Sequence, residues 1–426
     1  MHTRPADSLA DSPLAQEARD LLRNCVHCGF CLPACPTYRI TGSELDSPRG
    51  RIYLIKEMLE HGGANATART HLDRCLTCRA CETACPSGMQ YGRLADLGRE
   101  FIERDPSSSR QPGTRFVRLV LAKVATRREL FTALVRIGQA LRPCLPAALK
   151  ALVPAKARDR TQTRDVLAWP TARHARRMAV LEGCVQPGLA PQINAAAARV
   201  LDHLGISLVA ARDVGCCGAM EHHVGRTGAA LDQVRRNVTA SERLLEGGCE
   251  AIVSTASGCG TFAKDYGHLL RHAHHSIAGT AARISAATRD LCEVIDPAAL
   301  EDAVAAISKA RGVSLEPVRV AWQAPCSLQH GQRSSTTGKV EALLRAAGCE
   351  LVATRNPTLC CGSAGTYSIL QPALARELRT RKLASLLGDR PAAIATANIG
   401  CLEHLRQASA VPVRHWIEIV DSILFA

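Results

Sequence analysis

From residue 178 onward the chain alternates between two patterns. Short apolar runs at Met178 to Glu182, Ile206 to Ala210 and Ala251 to Ser254 end in turns rich in glycine and cysteine, and read as buried strands. Between them, apolar residues recur three and four apart over Pro191 to Leu204, stopped by Gly205, and over Asp232 to Glu246, which predicts helices. After residue 315 the plan returns. Strands are expected at Val318 to Trp322, Leu351 to Thr354, Ala392 to Thr396 and Val411 to Arg414, with helices at Lys339 to Ala347, Ala373 to Leu387 and Ile417 to Leu424. Strands alternating with helices imply parallel sheets, and the recurrence implies two copies of one α/β module.

The first part of the chain has no strand pattern. A helix is expected at Leu14 to Leu22. Another follows the cap Ser47-Pro48, with Ile52, Ile55, Met58 and Leu59 on one face and Gly62-Gly63 as its stop. Leu94 to Ile102 is a third. Further on, Leu130, Leu134, Ile137 and Leu141 fall at helical spacing among basic residues, and an ordinary packed helix is expected there rather than membrane contact. Residues 155 to 176 read as a charged linker. The expected fold is α/β with an N-terminal, mostly helical domain. It divides into 1–104, a basic helical connector 105–177, a first module 178–290 and a second module 315–426.

Cysteine changes the picture most. The chain has 20 cysteines in 426 residues. Eight fall in two runs, Cys25, Cys28, Cys31, Cys35-Pro36 and Cys75, Cys78, Cys81, Cys85-Pro86, each spaced C-x2-C-x2-C-x3-C-P. This is the ligand run of two-cluster ferredoxins, in which the fourth cysteine of each run serves the other cluster. One 4Fe-4S cluster is therefore expected on Cys25, Cys28, Cys31 and Cys85, and a second on Cys75, Cys78, Cys81 and Cys35. Structural zinc favours two separated pairs instead, and a disulfide framework belongs to small secreted chains.

In each α/β module, cysteines lie just past the carboxyl ends of strands, where open parallel sheets place their ligands. Cys184, Cys216, Cys217 and Cys259 form one set, and Cys326, Cys360, Cys361 and Cys401 the other. Cys-Cys-Gly doublets in register favour a metal or cluster site over buried small hydrophobes. Cys144, Cys249, Cys292 and Cys349 have no such partners and are expected to be ordinary packed residues.

Charge and composition bound the rest. Apolar residues are 46% of the chain, so it is globular. The net charge of +14 is concentrated in residues 110–177, where sixteen lysines and arginines meet only Glu129, Asp159 and Asp165. With few aromatics and no nucleic-acid motif, this segment reads as a docking surface for an acidic partner or an anionic lipid surface. The first residues contain no signal-peptide core and no apolar run is long enough to span a bilayer. A reducing, cytoplasmic location is expected, with at most peripheral contact at the inner face of the membrane.

The motif tails narrow the reading. Cys25-Val-His-Cys28-Gly-Phe-Cys31, Asp46-Ser-Pro-Arg-Gly-Arg-Ile-Tyr-Leu-Ile-Lys56, Leu181-Glu-Gly-Cys184, Thr255-Ala-Ser-Gly-Cys259-Gly, Cys360-Cys361-Gly-Ser-Ala-Gly-Thr-Tyr367, Thr396-Ala-Asn-Ile-Gly-Cys401 and Val413-Arg-His-Trp-Ile-Glu-Ile419 span the chain. With these it resembles the glycolate oxidase iron–sulfur subunits, components of bacterial glycolate dehydrogenase. The resemblance implies an electron-transfer role, a flavin (FAD) held only in partner subunits that oxidise glycolate to glyoxylate, and an acceptor such as quinone. Equivalent subunits of lactate or glycerol-3-phosphate dehydrogenases, or a heterodisulfide-reductase-like protein, are the alternatives. No G-x-G-x-x-G follows a strand here, so the chain itself is not expected to bind a dinucleotide. The doublet modules resemble the cysteine-rich domains of heterodisulfide reductase, which end in C-x-x-C. Here Ala256 and Asn398 stand where that motif has its first cysteine.

Overall fold

The computed structural model describes residues 1–106, 110–146, 150, 153–154, 164–312 and 316–425. Residues 155–163 of the expected linker lie outside the described residues.

The N-terminal domain is helical. Pro13–Arg23 begins with Ser12 accepting from the Ala15 N–H at 3.4 Å, and Pro48–His61 begins with Ser47 accepting from the Gly50 N–H at 2.9 Å. In both, proline at the first turn loses nothing, because that N–H has no partner within a helix. Pro48–His61 ends at Gly62, whose φ is +71°. Leu22, Ile52, Ile55, Met58, Leu59, Leu72 and Leu94 then pack into one core between these helices, Ala66–Asp73 and Tyr91–Arg104.

The two α/β modules each hold a four-stranded parallel sheet. The strands are β1 (Arg176–Leu181), β2 (Ile206–Ala210), β3 (Ile252–Ser254) and β4 (Thr288–Asp290) in the first. In the second they are β5 (Arg319–Gln323), β6 (Glu350–Val352), β7 (Ala393–Thr396) and β8 (Val413–His415). Their orders are β2-β1-β3-β4 and β6-β5-β7-β8, so the expected duplication holds strand for strand. Strand β4 was not expected. Its Thr-Arg-Asp has no apolar run, and it is placed by parallel pairing of Ile252 with Thr288 and Ser254 with Asp290.

One core joins the modules. Val180, Leu201 and Val253 of the first share it with Ile394, Ala395, Trp416 and Ile417 of the second. Polar contacts fix the seam. His415, fully buried at the end of β8, donates from Nε2 to the Thr255 carbonyl at 2.9 Å. The Ser257 N–H donates to the Ala397 carbonyl at 3.1 Å. Arg199 pairs with Asp421 at 2.6 Å.

The connector forms a hairpin of two helices, Pro112–Ala125 and Arg128–Leu141. The expectation of an ordinary packed helix is corrected here. The second helix buries Val135, but Leu130, Leu134, Ile137 and Leu141 are 39–55% exposed. Phe116, Val117, Leu119 and Val120 of the first are exposed beside them. Three basic residues in or beside the hairpin are also not free. Arg110 and Arg118 pair with Asp73 and Glu103, and Arg128 with Glu182. These ion pairs moor the hairpin to the domains on either side.

Candidate iron–sulfur sites

The two cysteine runs fold into matching loops. His27 and Gly29 in the first, and Thr77 and Arg79 in the second, occupy equivalent positions, and all four have positive φ, from +52° to +88°. Two left-handed residues per loop curl the chain tightly enough to turn successive thiols inward. The loops then exchange their last cysteines. Cys31 faces Cys25 and Cys85, while Cys81 faces Cys78, Cys75 and Cys35. Cys28 is exposed at the mouth of the first set, flanked by Val26 and Phe30, which are 68% and 65% exposed. Burial pushes the Cys31 thiol up to about 11 and raises Cys35 and Cys81 as well. Such thiols stay protonated until a metal displaces the proton, which is released to solvent on binding. Four thiols lining one cavity in the first set, with Cys28 at its mouth, and four facing one another in the second suit iron–sulfur clusters.

Buried cations underlie the second set. Arg51, 1% exposed, donates to the Cys35 sulfur at 3.8 Å, to Thr37 Oγ1 at 3.0 Å and to the His71 carbonyl at 2.7 Å. Its carboxylate is Asp46, wholly buried, which also takes His71 Nδ1 at 2.7 Å and Arg74 at 3.1 Å. Arg99, 4% exposed, donates to the Cys75 carbonyl at 2.9 Å and to Thr77 Oγ1 at 2.9 Å. Tyr91 donates to the Cys75 sulfur at 3.5 Å. Positive charge and hydrogen-bond donors beside these sulfurs suit an anionic, thiolate-ligated group. The helix after Ser47 was expected from its cap and apolar face; its charged network was missed. The signal was present in Asp46 and Arg51, which bracket the cap five residues apart.

In the first module, hydrogen-bonding contacts link Cys184 to Cys216, Cys216 to Cys217 and Cys217 to Cys259. The second repeats the chain from Cys326 to Cys360 to Cys361, with Cys361 and Cys401 sulfurs 3.2 Å apart. All eight sequence-selected cysteines therefore gather as two foursomes at strand ends. Asn398, in the place of the absent cysteine, donates to the Cys401 sulfur at 3.7 Å. Of the others, Cys249, Cys292 and Cys349 are buried as expected, but Cys144 is exposed. Its proline-flanked turn leaves it outside any core.

The second module also touches the ferredoxin-like domain through sulfur. Cys326 makes a hydrogen-bonding contact with Cys78. Around them Leu76, Leu359, Cys360, Tyr367 and Leu378 form a small apolar core. The first module meets that domain differently. Asp96 on Tyr91–Arg104 lies 3.6 Å from His222 and 3.3 Å from His223. Two histidines and a carboxylate within 4.8 Å of one another resemble a cation site. However, the same carboxylate already holds the Arg99 guanidinium at 3.0 Å, which supplies the positive charge a metal would bring. Against the desolvation of burial, His223, His222 and Arg99 hold the Asp96 carboxyl well below its usual range. This is an interdomain ion-pair knot.

Known families agree with this layout. The 4Fe-4S dicluster domain family matches residues 21–89, and the cysteine-rich domain family matches 178–263 and 320–406. The glycolate oxidase iron-sulfur subunit of Escherichia coli (strain K12) is 44% identical over 100% of this chain and 99% of that protein. The chain belongs to the family of glycolate oxidase iron–sulfur subunits. A probable glycolate oxidase iron-sulfur subunit of Bacillus subtilis (strain 168) is 29% identical over 90% of the chain and 88% of its own length. More distantly, a lactate utilization protein of Bacillus velezensis is 23% identical over 56% of this chain and 96% of that protein. As a family member the chain is a component of an oxidoreductase and carries 4Fe-4S clusters. No described helix is long and apolar enough to cross a membrane.

Proposed function

We propose that this chain is the electron-transferring subunit of a flavin-dependent glycolate dehydrogenase, with the flavin (FAD) in partner subunits. The full-length likeness to the Escherichia coli subunit carries this reading. The assignment of Cys25, Cys28, Cys31 and Cys85 to one cluster and Cys75, Cys78, Cys81 and Cys35 to the other is supported by the exchange of Cys85 and Cys35 between loops. The four-cysteine sets of the modules are read as further metal or cluster sites. The division at 1–104, 105–177, 178–290 and 315–426 is retained, with β4 closing the first module at Asp290. When bound, iron–sulfur clusters take up and release single electrons.

The residues around them do the rest. Cys28, Val26 and Phe30 form an exposed apolar edge on which a flavin-bearing partner docks. Arg51, Arg99 and Tyr91 hold the second loop, and the Leu76–Leu359 contact excludes water between that loop and the second module. The acceptor, a quinone in this reading, takes electrons beyond the modules. The exposed hairpin stripe, with Arg115, Lys123, Arg127 and Arg136 exposed around it, suits peripheral contact with the anionic inner face of the cytoplasmic membrane. Partner interfaces favour Trp, Tyr and Arg anchors; the exposed apolar residues of this stripe include no Trp or Tyr and are aliphatic apart from Phe116. The test is anaerobic: glycolate added to the assembled complex should bleach the visible absorption of this subunit. Bleaching by lactate alone would overturn glycolate as substrate.

A further inference from the structure

The second module contains a charge that the first lacks. Lys382, on helix Pro372–Leu386, is 0% exposed. Its ammonium donates to the carbonyls of Pro357 at 2.9 Å and Asn356 at 3.3 Å, in the loop that leads into Cys360 and Cys361. Gln329, just past Cys326, donates to the same Pro357 carbonyl at 3.2 Å, so the two cysteine loops are tied at one point. Among the described residues no carboxylate pairs with Lys382. A buried ammonium left in that state is costly, and the cost falls only when an anion faces it. Cys326, Cys361, Cys360 and Cys401 lie near enough to act on it through their charge. Burial pulls the Lys382 pKa down while these four sulfurs work in the opposite direction.

The other two cations buried beside cysteines have carboxylates of their own, Arg51 on Asp46 and Arg99 on Asp96. In the first module the long helix Thr227–Glu246 meets the doublet loop with a neutral side chain instead. Asn237 donates to the Cys216 carbonyl at 2.7 Å and accepts from the Gly215 N–H at 2.9 Å. The difference extends to the strand-end turn, where the second module places the Asn398 amide against Cys401 and the first has Ala256.

We propose that Lys382 is the built-in counter-cation of an anionic, thiolate-ligated iron–sulfur group on Cys326, Cys360, Cys361 and Cys401, and that the first module has no equivalent. This rests on the reading that the second module binds such a group. Lys382 is a positioning residue, since it ties the loop through backbone carbonyls and acts on the site through its charge. A fixed positive charge stabilises the more negative, reduced form, so it raises the reduction potential of the centre it faces.

The experiment is a redox titration of the anaerobic full-length holoprotein, followed by electron paramagnetic resonance, with iron counted in parallel. Lys382→Met removes the charge and the donors; Lys382→Gln keeps an amide donor for the loop; Lys382→Arg keeps the charge. Both neutral variants should shift the reduced-to-oxidised ratio of the module centre at least tenfold toward oxidised, which is 59 mV for one electron. The ferredoxin-type signals should stay in place and Lys382→Arg should stay near the parent. Unchanged potentials in both neutral variants, or the same shift in Lys382→Arg, would overturn the proposal. Its foundation is tested separately: if Cys361→Ser loses no iron, the module binds no such group, whatever Lys382 does.

Discussion

Replacing the glycine of a Cys-Cys-Gly turn tests how tightly the doublet is packed against its module. Gly362 has a φ of +88°, and a Cβ built there would lie 2.6 Å from the Ala375 carbonyl oxygen and 2.9 Å from Leu378 Cβ. Both belong to helix Pro372–Leu386, so neither can swing aside. Gly362→Ala therefore meets a left-handed backbone penalty of about 1–2 kcal/mol and an overpacking penalty of about 1–3 kcal/mol. Together these come to roughly 2–5 kcal/mol. Gly218, the equivalent in the first module, has a φ of +97° but its nearest neighbours are 3.2 Å away, at Ala230 O and Phe262 Cε1. A shift of a few tenths of an ångström relieves that contact, so Gly218→Ala should cost less. Gly348, with a φ of +86° and nothing within 4 Å, carries the backbone penalty alone. The assay is denaturant unfolding of the three anaerobic holoproteins, with iron content measured beside it. The expected order of loss is Gly362→Ala, then Gly218→Ala, then Gly348→Ala. If Gly362→Ala falls within about 0.5 kcal/mol of Gly348→Ala, the close approach to Pro372–Leu386 contributes nothing and the packing argument fails.

Cys35→Ser should remove the signal of the cluster built on Cys75, Cys78 and Cys81 and spare that of Cys25, Cys28 and Cys31; site-resolved spectra showing the reverse would undo the crossed assignment. Burial lowers the His415 pKa to about 4 although the Thr255 carbonyl accepts its proton, while Glu418 Oε2 accepts from its backbone N–H. The neutral ring's contribution is thus full above the unfolded value near 6.5 and declines by about 1.4 kcal/mol per pH unit as pH falls toward 4. His415→Asn should flatten that part of the stability profile, read as unfolding midpoints at pH 7 and pH 5. Leu134→Glu with Ile137→Glu should abolish sedimentation with vesicles containing phosphatidylglycerol and leave the unfolding midpoint in place, because both side chains are about half exposed. If those variants instead dissociate the flavin subunits and leave vesicle binding intact, the stripe is a protein interface.

Local chemistry in the sequence read through to structure; long-range placement did not. The two cysteine runs, the Ser47-Pro48 cap, the glycine stops and seven of the eight strands follow from spacing and periodicity, and all form where expected within a few residues. Strand β4 was not legible because Thr288-Arg289-Asp290 gains its conformation from β3, not from its own side chains. The Leu130 to Leu141 stripe was legible as a helix face, but periodicity states only that a face is apolar, not whether anything covers it. Lys382 sits among Arg379, Arg381 and other polar residues of an ordinary-looking helix, and its burial depends on where the second sheet and the doublet loop lie. The Asp46–Arg51–His71 network joins residues up to 25 positions apart, and only the folded cysteine loops bring them together.

The knot at Asp96 ties the helical domain to the first module, and its removal should separate two kinds of contact. Asp96 accepts from Arg99 at 3.0 Å, and Arg99 in turn holds the Leu72 and Cys75 carbonyls at 3.3 and 2.9 Å. His222 and His223 reach the same carboxylate from the helix that follows Gly218. Asp96→Asn keeps the shape and removes the charge, leaving Arg99 buried with only neutral acceptors. Breaking a buried pair on one side costs about 3–5 kcal/mol. The Asp96 carboxyl is held below its usual value, so its contribution is present above pH 4 and disappears only as pH falls through the lowered value. The contact between Cys78 and Cys326, cushioned by Leu76 and Leu359, uses no part of this knot. Asp96→Asn at pH 7 should therefore expose the seam between the helical domain and the first module to protease while the apolar seam with the second module stays protected. Hydrogen exchange resolves the two: faster exchange over 219–226 with unchanged exchange over 359–378 is the expected result. Equal loosening of both segments would mean that the domains are held as one cooperative block, and that the charged knot and the sulfur-lined seam do not act independently.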